Sequence, residues 1–207
     1  LQHEPGKRNL SDLDNAPQKQ GIFHFMLPDV ITLQFDMKLV ALFMEEEKQK
    51  FVHMVEVRQQ IARQWGVIIP LIRIRDHVGL EPSQFEICIN DVSVYREVLE
   101  GTYPDGLLYM VGKLKEMIFR YLDQVLNNQC IYYMVENLRE EYPYVVDSIV
   151  PEVISYSRLR QVLVHLIKDF GYTVNPLILI IQLLEQQLGL EQQLGLEQQL
   201  GLEQQLG

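Results

Sequence analysis

Apolar and polar residues alternate in four stretches of the first half of the chain. VITLQFD places Ile31, Leu33 and Phe35 on one parity and polar residues on the other, a pattern typical of a half-buried strand. VIIPLIRIRDH, QFEICIN and VSVYREVL show the same alternation further along. Between the last two strands, Asn90-Asp91 favours a tight hairpin turn, although Asn-Gly is the stronger signal because both central residues need positive φ.

One helix is predicted between the first two strands. KFVHMVEVRQQIARQW carries apolar residues near helical spacing and is followed by Gly66, and a glycine there suits the left-handed position that ends many helices. The first half is therefore predicted to be a small α/β or α+β module with the order strand–helix–strand–strand–strand.

The second half of the chain changes to a helical period. KLKEMIFRYLDQVLNN spaces its apolar residues three and four apart, which builds one broad helical face. Further helices are predicted at Cys130–Glu141, which stops before Pro143, and at about Ser157–Phe170, which closes at Gly171. Asn175-Pro176 is expected to open a last helix. The second half is predicted to be an all-helical bundle.

The chain ends in four identical copies of LEQQLG. On a helix, each six-residue copy turns its leucine pair by about 120° relative to the previous pair, so the leucines never form one stripe. The first copy is expected to continue the preceding helix, and the later copies to fray. The predicted organisation is a tail at 1–27, an α/β subdomain at 28–111, a helical subdomain at 112–183 and the repeat at 184–207.

Composition and charge exclude several classes of protein. The chain has 207 residues, 28 of them acidic and 18 basic, so its net charge is −10 and no basic run predicts nucleic-acid binding. The longest apolar run, in PLILIIQLL, is far shorter than the roughly 20 residues of a membrane span. Two cysteines do not make a disulfide framework, and Cys88 is predicted to be a buried apolar residue. These features predict a soluble, cytoplasmic protein.

No catalytic, cofactor-binding or metal-binding motif is recognisable. The five histidines show no ligand spacing, and phosphate-binding glycine loops and nucleophile motifs are missing, so we expect a protein that is not an enzyme and carries no cofactor. Arg73 and Arg75 in IRIRD stand out because they share one parity of a short strand. They either line a partner-binding edge or pair with acidic residues across the sheet.

Two blocks of the sequence carry strings typical of one family, EVRQQIARQWGVIIPLIRIRDHVGLEPSQFEICINDVSVYREVLEGTYPDGLLYM and ENLREEYPYVVDSIVPEVISYSRLRQVLVHLIKDFG. These strings resemble the FHIPEP family, the export-gate family of type III secretion. The first block runs from the helix before Gly66 to YPDGLLYM, and the second from ENLREEYPYVV to the helix that ends at Phe170. Together they extend over about residues 28–184. Matching positions in the first block are Arg58, Gly66, Pro70, Ile72, Arg73, Ile74, Arg75, Asp76, Leu80, Pro82, Ile89, Asn90, Val92 and Val94. Matching positions in the second block are Tyr142, Pro143, Val146, Val150, Pro151, Leu159, Val162, Leu163 and Leu166.

The resemblance implies a non-enzymatic component of a type III protein export apparatus, flagellar or virulence-related. It implies an α+β fold, with an RRM-like module followed by the helical bundle, and a docking and ring-assembly role at the cytoplasmic face of the bacterial inner membrane. Expected partners are export chaperone–substrate complexes, gatekeeper proteins and further copies in a homo-oligomeric ring, with no nucleic acid and with membrane contact only through a transmembrane region that this sequence lacks.

The resemblance also leads to expectations about individual residues. The residues expected to bind partners are Arg73, Arg75, Asp76 and Tyr95. The residues expected to contribute to self-association are Tyr121, Tyr142 and Arg158.

The sequence departs from the family pattern in several places. A small subdomain that normally follows a stretch like YPDGLLYM is missing, and GYTVNP stands after the helical block rather than before it. The repeat also stands in the place of a final subdomain. These departures leave open an alternative, an artificial or degenerate two-module globular protein with no partner-binding activity.

Overall fold

The structure, a computed structural model, describes residues 29–39, 47–99, 106–171, 177, 180–189 and 192. The chain divides into two compact units, Leu1–Gln60 with Ile69–Val125 and Ile61–Ile68 with Leu126–Gly207. The tail predicted for residues 1–27 and the helix start expected at Asn175-Pro176 lie outside the described residues. The subdomain boundaries that the sequence suggests stay predictions.

A four-stranded mixed sheet forms the centre of the first unit. Its strands are β1 (Ile31–Phe35), β2 (Ile72–Asp76), β3 (Gln84–Ile89) and β4 (Val92–Val98), in the spatial order β2-β1-β3-β4. β1 pairs parallel with β2 and antiparallel with β3, and β3 pairs antiparallel with β4. Helix α1 (Glu47–Trp65) connects the two parallel strands. The predicted order of strand, helix and three strands is confirmed.

Register separates the two faces of this sheet. On one face, three pairs of large apolar residues of the central strands oppose one another, and all six side chains are buried. These pairs are Ile31 with Ile89, Leu33 with Ile87, and Phe35 with Phe85. The opposite face carries the intervening polar residues of β1 and β3, together with Arg73 and Arg75 of β2. The alternation in the sequence predicts this division.

The β3–β4 hairpin turns at Asn90 and Asp91, as predicted. Both residues have left-handed backbone conformations, with φ of 51° and 61°, which a tight turn of this hand requires. The pairing shifts beyond the turn, because Cys88 opposes Ser93 whereas Ile87 opposes Tyr95. The residue between Ser93 and Tyr95 is therefore a β-bulge. Because of it, Ser93 lies on the polar face of the sheet and Tyr95 on the apolar face.

Two helices complete the described part of the first unit, α2 (Gly106–Arg120) and the short α3 (Leu122–Val125). The ring of Tyr109 on α2 meets that of Phe85 edge-on at 6.5 Å, so α2 covers the apolar face of the sheet. Lys115 on the same helix donates a hydrogen bond to Gln60 of α1, which places both helices on this face.

The second unit is helical, as the sequence predicts. It contains α4 (Asn128–Glu141), α5 (Pro143–Ile149) and α6 (Tyr156–Phe170), and residues 180–189 are also helical, including the first copy of the repeat. Every third or fourth residue of α4 and α6 is buried, which gives each helix the apolar face that the period indicates. An α+β fold class is confirmed for the chain.

Helix ends in the second unit follow local chemistry. The Asn127 side chain accepts a hydrogen bond from the Cys130 amide at 3.0 Å, and Ser155 accepts one from the Arg158 amide at 3.2 Å. These caps satisfy amides that have no partner within their helices. Gly171, with φ of 59°, ends α6 in the left-handed conformation that the sequence suggests.

Candidate functional site

Strand β2 holds the IRIRD motif, and an arginine of α1 binds the backbone just before this strand. Arg58 of α1 donates from Nε and Nη2 to the backbone carbonyl of Ile69, at 3.3 and 3.1 Å. Pro70 follows Ile69, and because a proline restricts the residue before it to extended conformations, this carbonyl is held in a defined direction. These hydrogen bonds therefore tie α1 to the segment that leads into β2.

Arg73 and Arg75 share one carboxylate. Arg73 Nε lies 3.3 Å from Asp29 Oδ1, and Arg75 Nη2 donates to Asp29 Oδ2. The two arginine side chains are 34% and 51% exposed. Of the two alternatives for these arginines, pairing with an acidic residue is therefore present in the structure, and two guanidinium groups against one carboxylate leave a net charge of +1. Their role in partner binding stays a prediction.

One row across the polar face ends in a second ion pair. The register places Arg75, Gln34, Glu86 and Arg96 side by side on the four strands. Arg96 donates to Glu86 Oε1 from Nε at 3.2 Å and from Nη2 at 2.7 Å. Burial opposes ionisation of Glu86, but hydrogen bonds from Ser93 and Arg96 outweigh burial, so the pKa of Glu86 is below its usual value. The carboxylate is therefore charged at neutral pH.

The adjacent row consists of Arg73, Thr32, Cys88 and Ser93. Thr32 is fully buried, and its hydroxyl has no hydrogen-bond partner among the residues that the structure describes. Cys88 is also buried, as predicted, and burial together with the charge of Glu86 raises the pKa of its thiol to about 11. A protonated thiol is a poor nucleophile, so this cysteine is not suited to covalent chemistry at neutral pH.

A separate polar network lies where β4 meets α2. The hydroxyl groups of Tyr95 and Tyr109 both donate to the Glu97 carboxylate, Tyr109 at 2.9 Å to one oxygen. The ammonium group of Lys113 lies 5.4 Å from the ring centre of Tyr95 and 5.9 Å from that of Tyr109. Burial and the hydrogen bond to Glu97 raise the pKa of Tyr95 well above its usual range. This network holds β4 against α2.

The four residues expected to bind partners do not form one cluster. Arg73 and Arg75 lie on the polar face of β2, whereas the register puts Tyr95 on the apolar face of β4, at the other end of the strand order. Asp76 is exposed at the end of β2 and opposes Phe35, so it shares the face of Tyr95 but not its location. Only the two arginines are brought together.

The residues expected to contribute to self-association are divided between the units. Tyr121 lies in the first unit between α2 and α3, where it is half-buried. In the second unit, Tyr142 is 47% exposed where α4 meets α5, and the exposed Arg158 donates to Gln161 at 3.2 Å. Tyr142 and Arg158 are therefore accessible for contact.

An aromatic cluster in the second unit was not predicted. Tyr132 lies 5.9 Å from Tyr133 and 5.7 Å from Tyr156, measured between ring centres, and Tyr132 and Tyr133 are exposed. Burial and the carboxylate of Glu136 raise the pKa of Tyr156. The two adjacent tyrosines in CIYYMVENL lie outside the buried apolar face of α4. This position in the sequence could have predicted an exposed aromatic surface.

A cavity of about 420 Å³ opens on the second unit. Its lining combines buried apolar residues with exposed charged ones. The buried residues include Val67, Met134, Leu138 and Leu177, and the exposed ones include Arg63 and Glu141.

Metal-binding clusters and membrane-spanning helices are both absent from the part of the chain that the structure describes. No group of histidine, cysteine, aspartate and glutamate side chains in the described ranges is arranged to hold a metal ion. None of the helices that the structure describes combines the length and the hydrophobicity that crossing a bilayer requires.

Comparison with known proteins adds relatives at low sequence identity. Bacillus subtilis (strain 168) flagellar biosynthesis protein FlhA is 19% identical in an alignment that covers 77% of this chain and 30% of FlhA. The structure of Shigella flexneri MxiA matches with a TM-score of 0.58 at 17% identity, over 75% of this chain and 56% of that chain. A chain of the Chlamydia pneumoniae CdsV and CdsO protein complex matches with a TM-score of 0.56 at 18% identity, over 67% of this chain and 57% of that chain.

These matches agree in the fold that they indicate. The chain spans less than a third of the length of FlhA and rather more than half of the solved chains that it resembles. The model of the FHIPEP family matches residues 2–111, which is more than half of the 207 residues and includes the whole described sheet. The chain therefore belongs to the FHIPEP family, the export-gate family of type III secretion that its motifs predict.

Proposed function

We propose that the chain is a docking and ring-assembly module on the cytoplasmic side of a type III protein export apparatus, with no catalytic activity of its own. In this role it receives export chaperone–substrate complexes and gatekeeper proteins, and it associates with further copies of itself. The observation that carries the proposal is the family match, because the matched residues 2–111 include Arg58, which binds the Ile69 carbonyl, and the whole IRIRD strand.

Partner binding has support from the first unit and from a relative. Arg73 and Arg75 are partly exposed and carry one more positive charge than Asp29 neutralises, so they attract acidic surfaces. A protein with a similar fold occurs in the CdsV and CdsO protein complex, so the fold is compatible with stable binding of another protein.

Self-association has support from the surface of the second unit. Tyrosine and arginine are enriched at protein interfaces because they offer a large contact area together with hydrogen-bonding groups. Tyr142, Tyr144, Tyr132 and Tyr133 are all exposed, which is an unusual concentration of aromatic surface for a monomer.

Sedimentation velocity over a range of protein concentrations tests self-association. The chain is expected to form oligomers whose fraction rises with concentration, and Arg158→Glu in the Tyr142→Ser background is expected to reduce that fraction at least tenfold. Arg160→Glu in the same background is the matched control, because two residues rotate a helical side chain by about 200° away from Arg158. A chain that stays monomeric at the highest concentration contradicts the assembly role.

Binding to purified export chaperone–substrate complexes of a type III system tests docking. The double variant Arg73→Glu/Arg75→Glu is expected to weaken binding, whereas Arg120→Glu, an equal charge change per site on exposed helix surface, is expected to leave it unchanged. A monomer that binds none of these complexes supports the alternative of a two-module protein without partners.

A further inference from the structure

β2 is an edge strand with a row of outward-directed backbone groups. Among the described strands it pairs with β1 alone. The His77 amide donates to the Phe35 carbonyl at 3.0 Å, so this residue directs its backbone groups towards β1. Backbone direction alternates along a strand, so the amides and carbonyls of Ile72, Ile74 and Asp76 point away from β1. An extended segment can form hydrogen bonds with these groups.

The side chains of β2 specify which segment fits beside it. Arg73 and Arg75 are two residues apart on one face, about 7 Å along the strand, and within the described part of the chain the carboxylate that they share is that of Asp29. Each guanidinium has five N–H donors, and the bond to Asp29 uses one donor of each. Further carboxylates can therefore be bound without breaking the existing pair.

The other face of β2 is apolar at its start. Ile72 is buried and Ile74 is half-buried, and both oppose apolar residues of β1. An added strand therefore needs apolar side chains on this face and acidic side chains on the arginine face, which is a strict alternation of the two types.

Charge also indicates that the occupant is a different protein. A second copy pairing through β2 would place Arg73 and Arg75 opposite the same two arginines, and like charges on directly opposed strand residues are destabilising. An acidic segment instead neutralises the excess positive charge, in a chain whose net charge of −10 otherwise repels acidic partners.

We propose that the outer edge of β2 binds an extended segment of a partner protein in which acidic and apolar residues alternate, added to the sheet as a further strand. Its acidic residues bind Arg73 and Arg75, and its backbone bonds to the outward groups of Ile72, Ile74 and Asp76. This inference goes beyond export function, because it depends on the edge geometry of β2 and on the charges of its two arginines, and a negative result with the peptides leaves the chaperone and oligomer experiments unaffected.

Fluorescence anisotropy with three labelled peptides of equal length tests sequence alternation. One peptide alternates glutamate and valine between polar flanks, the second contains the same residues in two blocks, and the third replaces glutamate with lysine. The alternating acidic peptide is expected to bind at least tenfold more tightly than the other two. Equal binding of the block peptide would show attraction to any acidic peptide, and would overturn the proposal.

Variants separate the contributions of charge and backbone. Arg73→Glu/Arg75→Glu is expected to lose the acidic peptide and to gain the lysine peptide. Asp76→Pro removes one outward amide while the arginines and the β1-facing amides remain, and proline is tolerated on edge strands. It is expected to weaken binding at least tenfold relative to Asp76→Ala, and equal affinities of these two variants would contradict strand addition.

Amide hydrogen exchange on the unmodified chain provides a test that does not depend on any variant folding. Addition of the alternating peptide is expected to slow exchange at Ile74 and Asp76, whose amides point outward, more than at Arg73 and Arg75. Slowing confined to other parts of the chain would place the peptide elsewhere and would refute the β2 edge as its site.

Discussion

Replacing Arg96 with methionine is expected to destabilise the first unit by leaving the Glu86 carboxylate buried without its main partner. The side chain of Glu86 is only 6% exposed, whereas that of Arg96 is 53% exposed. Methionine retains most of the length and apolar contact of the arginine stem but cannot donate the bonds at 3.2 and 2.7 Å. The variant therefore removes the charge and the hydrogen bonds with little change in packing.

The expected loss in the free energy of unfolding is about 2 kcal/mol at neutral pH. Breaking a fully buried ion pair costs about 3–5 kcal/mol, but water reaches the exposed half of Arg96 and Ser93 still bonds to Glu86, so the upper range does not apply. Both donors also converge on one oxygen, which corresponds to one strong charge-assisted bond of about 1.5–3 kcal/mol. Arg120→Met is the control, because Arg120 and Glu116 are both largely exposed and such pairs contribute about 0–1 kcal/mol.

Urea denaturation followed by circular dichroism measures the loss in the free energy of unfolding. Repeating it at different pH values tests whether the loss depends on the charge of Glu86. Because the folded-state pKa of Glu86 is lowered, its stabilising contribution is present above the usual value of 4.5 and is lost as pH falls through the folded-state pKa. The penalty of Arg96→Met is therefore expected to be full at about pH 7 and to shrink as pH falls through the folded-state pKa of Glu86, because a protonated carboxyl group carries no charge for Arg96 to neutralise. A penalty equal to that of Arg120→Met, or one that does not change with pH, would refute the reasoning.

Three further predictions concern the backbone and the cysteines. Asp91→Gly is expected to raise the free energy of unfolding, measured by urea denaturation, by about 0.5–1 kcal/mol, because the turn with Asn90 requires positive φ at both residues. A decrease would show that the aspartate side chain stabilises the turn more than glycine's freedom at positive φ does. Gly171→Ala is expected to lower the free energy of unfolding by about 1 kcal/mol in the same measurement, since alanine is strained at φ of 59°. Among the described residues no atom lies within 4 Å of the added methyl group, so the strain is the expected cause. A thiol reagent near pH 8 is expected to label Cys88 and Cys130 only as fast as the protein unfolds, because both are buried; fast labelling in the absence of urea would contradict this burial.

Hydrophobic periodicity accounts for most of the fold because it reflects which face of each element is buried. Alternation located all four strands, and the helical period located α1, α4 and α6. Glycine signals were also reliable, since Gly66 and Gly171 both adopt the positive φ that their positions suggested. The single helix expected over KLKEMIFRYLDQVLNN is instead divided at Tyr121 into α2 and α3, and no proline or glycine marks that break.

The ion pairs could not be assigned in advance because they depend on register. Asp29 lies more than 40 residues before Arg73 and Arg75, and only the parallel pairing of β1 with β2 brings them together. Glu86 and Arg96 meet because of the bulge in β4. Without it, strict alternation would put Ser93 and Arg96 on opposite faces, whereas the register shift puts both on the face of Glu86.

Helix α1 begins in one compact unit and ends in the other, since the division falls between Gln60 and Ile61. Neither unit is therefore a continuous stretch of polypeptide, and no single cut in the gene or the protein separates them. A fragment that starts at residue 126 lacks Ile61–Ile68, whose side chains line part of the cavity of the second unit. A truncation that removes either unit therefore also interrupts α1, and local melting of α1 is expected to destabilise both units.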